Sequence, residues 1–196
     1  MAISKVDICN SALAKVGAAR ISSLEDNNKQ GRLCKELYPR LADALIRSHP
    51  WNFAIERVEI AKDATAPAFG FSARFRKPTD CLRVLNLNSE YADEGGKYVD
   101  WKVEGDYILT NSATLKIKYV KDVSETPEVF DSTFAEALSY YIASDLAYPM
   151  AQSNTLGVKL FEKFSLMLAN ARAYDAQEGS SDRVSADMWL DSRYTE

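Results

Sequence analysis

Apolar residues recur at helical spacing near both ends of the chain. The first such set advances by three or four positions, which places its members on one face of a helix: Ile3, Val6, Cys9, Leu13 and Val16. Ser4 and Asp7 have capping-box spacing, and Gly17 provides a residue that can turn left-handed after the last turn. The pattern predicts a first helix over 4–17.

A second apolar set advances in strict steps of four through Leu33, Leu37, Leu41 and Leu45. It predicts a helix over 26–48. Pro39 removes one backbone donor and disfavours helical geometry at Tyr38, so we expect the helix to be kinked or split there.

Between 51 and 122 the apolar period falls from 3.6 to 2, which indicates half-buried antiparallel strands. Three runs alternate in this way: Phe69, Phe71, Ala73 and Phe75; Val99, Trp101 and Val103; Leu115, Ile117 and Tyr119. Turn residues separate the runs at Gly95-Gly96, Glu104-Gly105-Asp106 and Asn111-Ser112. Such short connections favour a meander or a small sandwich over parallel crossovers.

Helical spacing then returns and predicts helices over 127–148 and 154–178. Thr126-Pro127 is typical of a helix start, and Pro149 of a helix end. The stripe of the third helix is Phe130, Phe134, Leu138 and Tyr141-Ile142; that of the fourth is Leu156, Leu160, Phe164, Met167-Leu168, Ala171 and Tyr174.

The predicted architecture is α+β: a four-helix bundle of two N-terminal and two C-terminal helices, with an antiparallel β insertion and an extended C-terminal arm. We expect one domain over 1–179 and the arm over 180–196. The arm is rich in Ser and Asp, yet it contains the apolar run Met188-Trp189-Leu190, with Arg193 close by. Trp, Met and Arg are enriched at the centres of interfaces, so these four residues are the predicted partner-binding site.

Composition fits a folded chain with a substantial core. Of the 196 residues 46% are hydrophobic and 27% charged, and the net charge is -4. No apolar run reaches the ~18 residues of a membrane helix, and no signal peptide is visible, so we expect no membrane contact. Cys9, Cys34 and Cys81 are odd in number and widely spaced, which favours a reducing cytoplasm over a disulfide framework.

Charge is distributed unevenly along the chain. Eight basic and five acidic residues give 1–50 a balance of +3, and three basic and seven acidic residues give 126–178 a balance of -4. Opposed patches of this kind suit a head-to-tail contact between copies, although solvated helix faces are the commoner explanation.

Candidate chemistry is sparse. The single histidine, His49, stands at a predicted helix end, where capping or packing explains it better than catalysis. Phosphate-binding loops and nucleophile elbows are absent as motifs, and no local set of metal ligands occurs. We therefore predict no catalytic, cofactor-binding or metal-binding residues and no enzyme activity.

Two alternatives remain open. Paired carboxylates such as Glu56 with Glu59, or Asp93 with Glu94, would suit a virion-associated peptidoglycan hydrolase. The run 74–77, with Tyr98 and Trp101 nearby, would suit a nucleic-acid-binding module.

Several segments, taken in order over about 8–60 and 78–178, resemble tail tubular protein A, the adaptor or gatekeeper ring protein of short-tailed phages. The most specific segment is His49-Pro50-Trp51-Asn52-Phe53-Ala54. The others are Asn10 to Gly17 with Ile21 to Leu24, Cys34 with Tyr38-Pro39, Pro78 with Asp80 to Val84, and Leu115 to Asp122.

The resemblance implies a non-enzymatic head-tail connector, built as a helical bundle with a β insertion. It implies that copies form a ring, a dodecamer in the family, between the portal protein and a tail nozzle similar to tail tubular protein B. DNA would pass through the channel as cargo during ejection. The expected location is the neck of the virion tail, after assembly in the cytoplasm of the bacterial host.

Overall fold

The computed structural model describes residues 3–87 and 100–178. Within these residues it contains four α-helices and two three-stranded antiparallel sheets, which confirms the predicted α+β class. The helices are α1 (Lys5–Lys15), α2 (Lys29–Ser48), α3 (Ser132–Ala151) and α4 (Asn154–Gln177). The strands are β1 (Ile55–Ile60), β2 (Ala73–Arg76), β3 (Cys81–Leu87), β4 (Trp101–Glu104), β5 (Tyr107–Thr110) and β6 (Leu115–Lys121).

Both ends of the first helix carry the capping residues that the sequence predicts. Ser4 and Asp7 form a reciprocal capping box at the start of α1, and Gly17 takes a φ of +71° beyond its end. Asn28 caps α2, so this helix begins two or three residues later than predicted. Its cap accepts a hydrogen bond from the backbone of Gly31 at 2.7 Å, and that contact fixes the start.

The second helix was predicted to be kinked or split at Pro39. The split is wrong, because α2 continues through Pro39 without a break. Tyr38, the residue that proline disfavours, is buried and donates its hydroxyl to the carbonyl of Ser124 at 3.0 Å. Packing of this side chain therefore outweighs the local steric preference.

The third helix also differs from its predicted bounds of 127–148. Pro127 starts only a short 3₁₀ turn, Pro127–Val129, and α3 is capped by Asp131 rather than Thr126. The helix then runs through Pro149 to its last residue, Ala151, although proline removes one backbone hydrogen bond.

The bundle is organised around α3. This helix packs against α1, α2 and α4, whereas α4 has its main helix contacts with α3 alone. Seven apolar residues of α3 are fully buried: Phe134, Ala137, Leu138, Ile142, Ala143, Leu146 and Ala147. The four helices therefore form layers, with α4 on the outside of α3.

The strands form two sheets of order β1-β6-β3 and β2-β5-β4. A common apolar cluster lies between them and takes residues from both: Ala73, Phe75 and Ile108 from one sheet, Leu87, Leu115, Ile117 and Tyr119 from the other. Val120, on the opposite face of β6, belongs to the helical core instead. β6 thus joins the small sandwich to the bundle.

Two strand predictions are wrong in detail. Phe69 and Phe71 precede β2 rather than continuing it, and Phe69 is 89% exposed. All four residues of β4 are exposed because β4 is an edge strand, so Trp101 and Val103 are less buried than alternation suggests. Gly105 does form the predicted tight turn, with a φ of +56° between β4 and β5; the turn at 95–96 lies outside the described residues.

Candidate assembly surface

The predicted partner-binding residues Met188, Trp189, Leu190 and Arg193 lie outside the described residues, as does the rest of the predicted arm. The described chain ends at Glu178, the residue that follows α4. The structure therefore describes only the part of the chain to which this segment is attached, the last turn of α4.

That last turn is held to the end of α2 by a set of hydrogen bonds that we call the Asp175 clasp. Asp175 Oδ2 lies 3.2 Å from His49 Nε2, and its Oδ1 accepts the backbone N–H of Asn52 at 2.8 Å. The Asn52 side-chain amide donates to the Asp175 carbonyl at 2.7 Å. One turn earlier, Arg172 donates to the Ser48 hydroxyl at 3.2 Å. The end of α4 is thereby fixed to the segment that leaves α2.

Trp51 secures the other side of this segment. It is fully buried, and its indole N–H donates to the carbonyl of Leu45 at 3.1 Å. Its ring meets His49 and Phe134 edge-on, with centroids 4.6 and 5.0 Å apart, and stacks on Phe53 at 5.9 Å. The segment His49 to Ala54 is therefore a structural joint between α2, α3 and α4. The packing role predicted for His49 is confirmed, since it caps α2 and packs on Trp51.

The fourth helix has a buried apolar face and an exposed face of mostly small and apolar residues. The inner face packs on α3 and contains Leu160, Phe164 and Ala171, as predicted, although Tyr174 is exposed. The outer face was not predicted, and it includes the exposed acid Glu162 together with the following exposed residues: Val158, Phe161, Ser165, Leu166, Ala169, Ala173 and Ala176. Val158 is 60%, Phe161 50% and Leu166 54% exposed. The sequence signal for this outer face is helical spacing, because its residues recur at steps of three or four: Val158, Phe161, Ser165, Ala169, Ala173 and Ala176.

The opposed charges of the two helical pairs meet within the chain. Lys15 lies 3.0 Å from Glu136, Arg40 lies 3.3 Å from Asp145, and Lys5 is paired with Glu125. Part of the charge that was expected to suit contact between copies therefore forms ion pairs within the chain. These pairs hold α1 and α2 against α3 and against the segment before α3.

The carboxylate pair Glu56 and Glu59 does not converge. Both residues belong to β1, three positions apart, so their side chains leave opposite faces of the strand. Glu56 is paired with Lys121 at 3.2 Å. Asp93 and Glu94 lie outside the described residues.

The strand register also separates the proposed basic and aromatic groups. Trp101 is aligned with Thr110 and Ala73, whereas Arg74 is aligned with Leu109, so Trp101 and Arg74 lie on opposite faces of their sheet. Arg74 stacks over the Tyr107 ring at 4.5 Å and pairs with Asp63 at 3.2 Å. Tyr98 lies outside the described residues.

The cysteines are free thiols, and Cys9 and Cys34 are both buried. Contact with Cys34 together with burial raises the pKa of the Cys9 thiol well above its usual range, so it stays protonated and unreactive. Over 3–87 and 100–178 no group of three His, Cys, Asp or Glu residues is placed to hold a metal ion.

None of the described helices combines the length and apolarity needed to cross a bilayer. Comparison with models of protein families and with curated proteins finds no match for this chain.

Proposed function

We propose that the chain is a structural virion protein, the adaptor between the portal and the tail nozzle of a short-tailed phage or prophage. The observation that supports this most directly is the position of α4. Its outer face is exposed and consists mostly of small and apolar residues, and its last turn, fixed by the Asp175 clasp, precedes the segment that contains Trp189. A surface of this kind serves assembly with another protein.

The ordered series of segments that resembles tail tubular protein A gives the proposal its specific content. The segment most typical of that resemblance, His49 to Ala54, is the joint that anchors the end of α4. The segment that is most specific for the resemblance thus fixes the last turn of α4, after which the predicted arm continues in sequence. This is the arrangement expected of a chain whose contacts depend on where its arm begins.

The proposed partners are the portal protein, a nozzle protein and further copies of the same chain arranged as a ring. DNA would pass through the assembled channel without being read. A channel wall must not bind phosphate strongly, and the surplus of acidic residues over 126–178 meets that requirement. The place of action would be the virion neck.

Co-migration with the portal ring of the same phage tests this function. The full chain is expected to co-migrate with the ring in gel filtration, and Trp189→Ala is expected to weaken binding at least tenfold, the scale of an interface anchor. Trp101→Ala is the matched control, because Trp101 is a half-exposed tryptophan on the edge strand β4.

Failure of the full chain to bind the portal would refute the adaptor function. Equal binding by the wild-type chain, by Trp189→Ala and by a chain lacking 180–196 would instead refute the role of the arm and leave the adaptor function standing.

A further inference from the structure

We propose that, in the free protein, the outer edge of β4 pairs with the same edge of a second copy of the chain, in an antiparallel twofold contact centred on Val103. A twofold contact closes on itself after two copies, so it does not build a ring. The inference concerns the chain before assembly and does not depend on the proposed function.

The strand β4 offers an exposed edge. It stands at the end of the order β2-β5-β4, and no strand of the described residues pairs with its outer side. All four of its residues are exposed. Val103 is 40% exposed, although its ladder neighbours Ile108 and Phe75 are fully buried. Backbone N–H and C=O groups along such an edge form a template for a further strand.

The hairpin turn determines which backbone groups of β4 point outward. A two-residue turn that begins with Gly105, at a φ of +56°, joins β4 to β5. The pair that closes such a turn, Glu104 with Tyr107, exchanges both of its backbone hydrogen bonds across the hairpin. Because bonding directions alternate along a strand, Lys102 also bonds to β5, whereas the N–H and C=O of Val103 point outward.

This alternation sets the register of a twofold contact. Two antiparallel copies of one strand are centred on a residue whose backbone points outward, and Val103 then exchanges two hydrogen bonds with its own counterpart. Lys102 lies directly opposite Glu104 of the second copy, and Glu104 lies opposite its Lys102. Trp101 stands opposite Gly105 of the second copy, which has no side chain to meet the ring. The pairing therefore rests on the three residues 102–104.

Charge is complementary in this register. The side chains of Lys102 and Glu104 are 66% and 52% exposed and lie 2.9 Å apart within the chain. In the contact each lysine has one glutamate beside it on its own strand and another directly across. Opposite charges directly across an antiparallel ladder stabilise the pair, and like charges destabilise it. A lysine on an edge strand ordinarily opposes pairing with another chain, and here Glu104 of the second copy neutralises it.

Sedimentation velocity of the full chain over a range of concentrations tests the contact. The contact is small, so we expect weak association, with a sedimentation coefficient that rises toward the dimer value at high protein concentration. Glu104→Lys places two lysines opposite each other, and Lys102→Glu places two glutamates opposite each other. Each variant alone is expected to stay monomeric. An equimolar mixture of the two is expected to associate at least as strongly as the wild type, because every lysine then faces a glutamate.

A backbone variant tests the hydrogen bonds separately. Val103→Pro removes an N–H that points outward and leaves the bonds between β4 and β5 in place, so it is expected to abolish association. Val103→Thr is the matched control, because it keeps the N–H and the β-branched shape and is expected to associate like the wild type. The melting temperature of each variant shows that it is folded, and the charge variants decide the matter if Val103→Pro is not.

Three results would overturn the proposal. The wild-type chain could sediment as a monomer at every concentration, or the mixture of Glu104→Lys and Lys102→Glu could stay monomeric. Association could also persist unchanged in a folded Val103→Pro variant, in which case another surface, such as the outer face of α4, joins the copies. None of these results involves the portal, so they are distinct from failure of portal binding.

Discussion

Asp175 and His49 lie 3.2 Å apart although 126 positions separate them in sequence, and the same carboxylate accepts the backbone N–H of Asn52. This one side chain therefore joins the last turn of α4 to the residues that end α2. Its side chain is only 12% exposed, so water replaces these contacts poorly.

Replacing Asp175 should loosen the end of α4. Asp175→Ala leaves the Asn52 N–H and His49 without their acceptor, and the free energy of unfolding is expected to fall by about 1–3 kcal/mol. Urea denaturation followed by circular dichroism measures the change. Glu178→Ala, an exposed acid three residues later, should change stability by less than about 0.5 kcal/mol; equal losses in the two variants would show that the clasp contributes nothing.

Trp51 should be among the most costly residues to truncate. Trp51→Ala removes a fully buried ring together with its contacts to Phe53 and Phe134, and is expected to lower the free energy of unfolding by about 3–5 kcal/mol. Trp51→Phe should cost less, since it mainly removes the hydrogen bond to Leu45. The control is Trp101→Ala on the exposed edge strand, and comparable losses at both tryptophans would contradict the structural role of the joint.

Asp43 should make stability depend on pH in an unusual direction. Burial raises the pKa of its carboxyl group, the charges of Asp122 and Glu125 add to the rise, and Ser124 opposes it. As pH rises from the ordinary value of the pKa toward the raised one, the unfolded chain ionises first, and the native state loses stability. Asp43→Asn avoids this loss, so the variant should be more stable than the wild type at neutral pH, by less than about 1 kcal/mol because the site is partly hydrated.

Thermal unfolding of Asp43→Asn and wild type across acidic to neutral pH measures this difference. The gain should vanish at pH values below the ordinary pKa of an aspartate. Glu36→Gln, exposed on the same helix, should show no such pattern; a gain that is constant at all pH values would mean that ionisation of Asp43 is not its cause.

Gln152 is the described non-glycine residue with a positive φ, +50°, at the end of α3. A side chain costs roughly 1 kcal/mol in this region, so Gln152→Gly should raise the free energy of unfolding by up to that amount. The backbone bond from Gln152 to the Tyr148 carbonyl does not require a side chain. Ala169→Gly, at an exposed position inside α4, should have the opposite sign, and a loss of stability at both positions would argue against strain at Gln152.

The helices were predictable wherever a single face is buried. The Ser4–Asp7 box, the leucines of α2 and the inner face of α4 all follow from spacing and capping chemistry, which are local properties. The two proline errors come from the same local rule, which treats Pro39 and Pro149 as helix breakers. Both helices continue through their proline, and at Pro39 the packing of the buried Tyr38 outweighs the rule.

The surface was harder to predict because it depends on contacts between distant residues. Apolar positions on both faces of α4 do not reveal which face meets α3. Nothing local marks Asp175 as the partner of His49 and Asn52. The separation of Arg74 from Trp101 likewise requires the register of β2, β5 and β4. The predicted arm residues stay a prediction, since they lie beyond the described chain.

The Asp175 clasp also sets an order of events during synthesis. Its two sides are separated by the whole β insertion and by α3, and closing so long a loop carries an entropic cost that the packing of α3 and α4 has to offset. The joint at Trp51 therefore keeps part of its aromatic surface uncovered until α4 has been synthesised and has packed against α3.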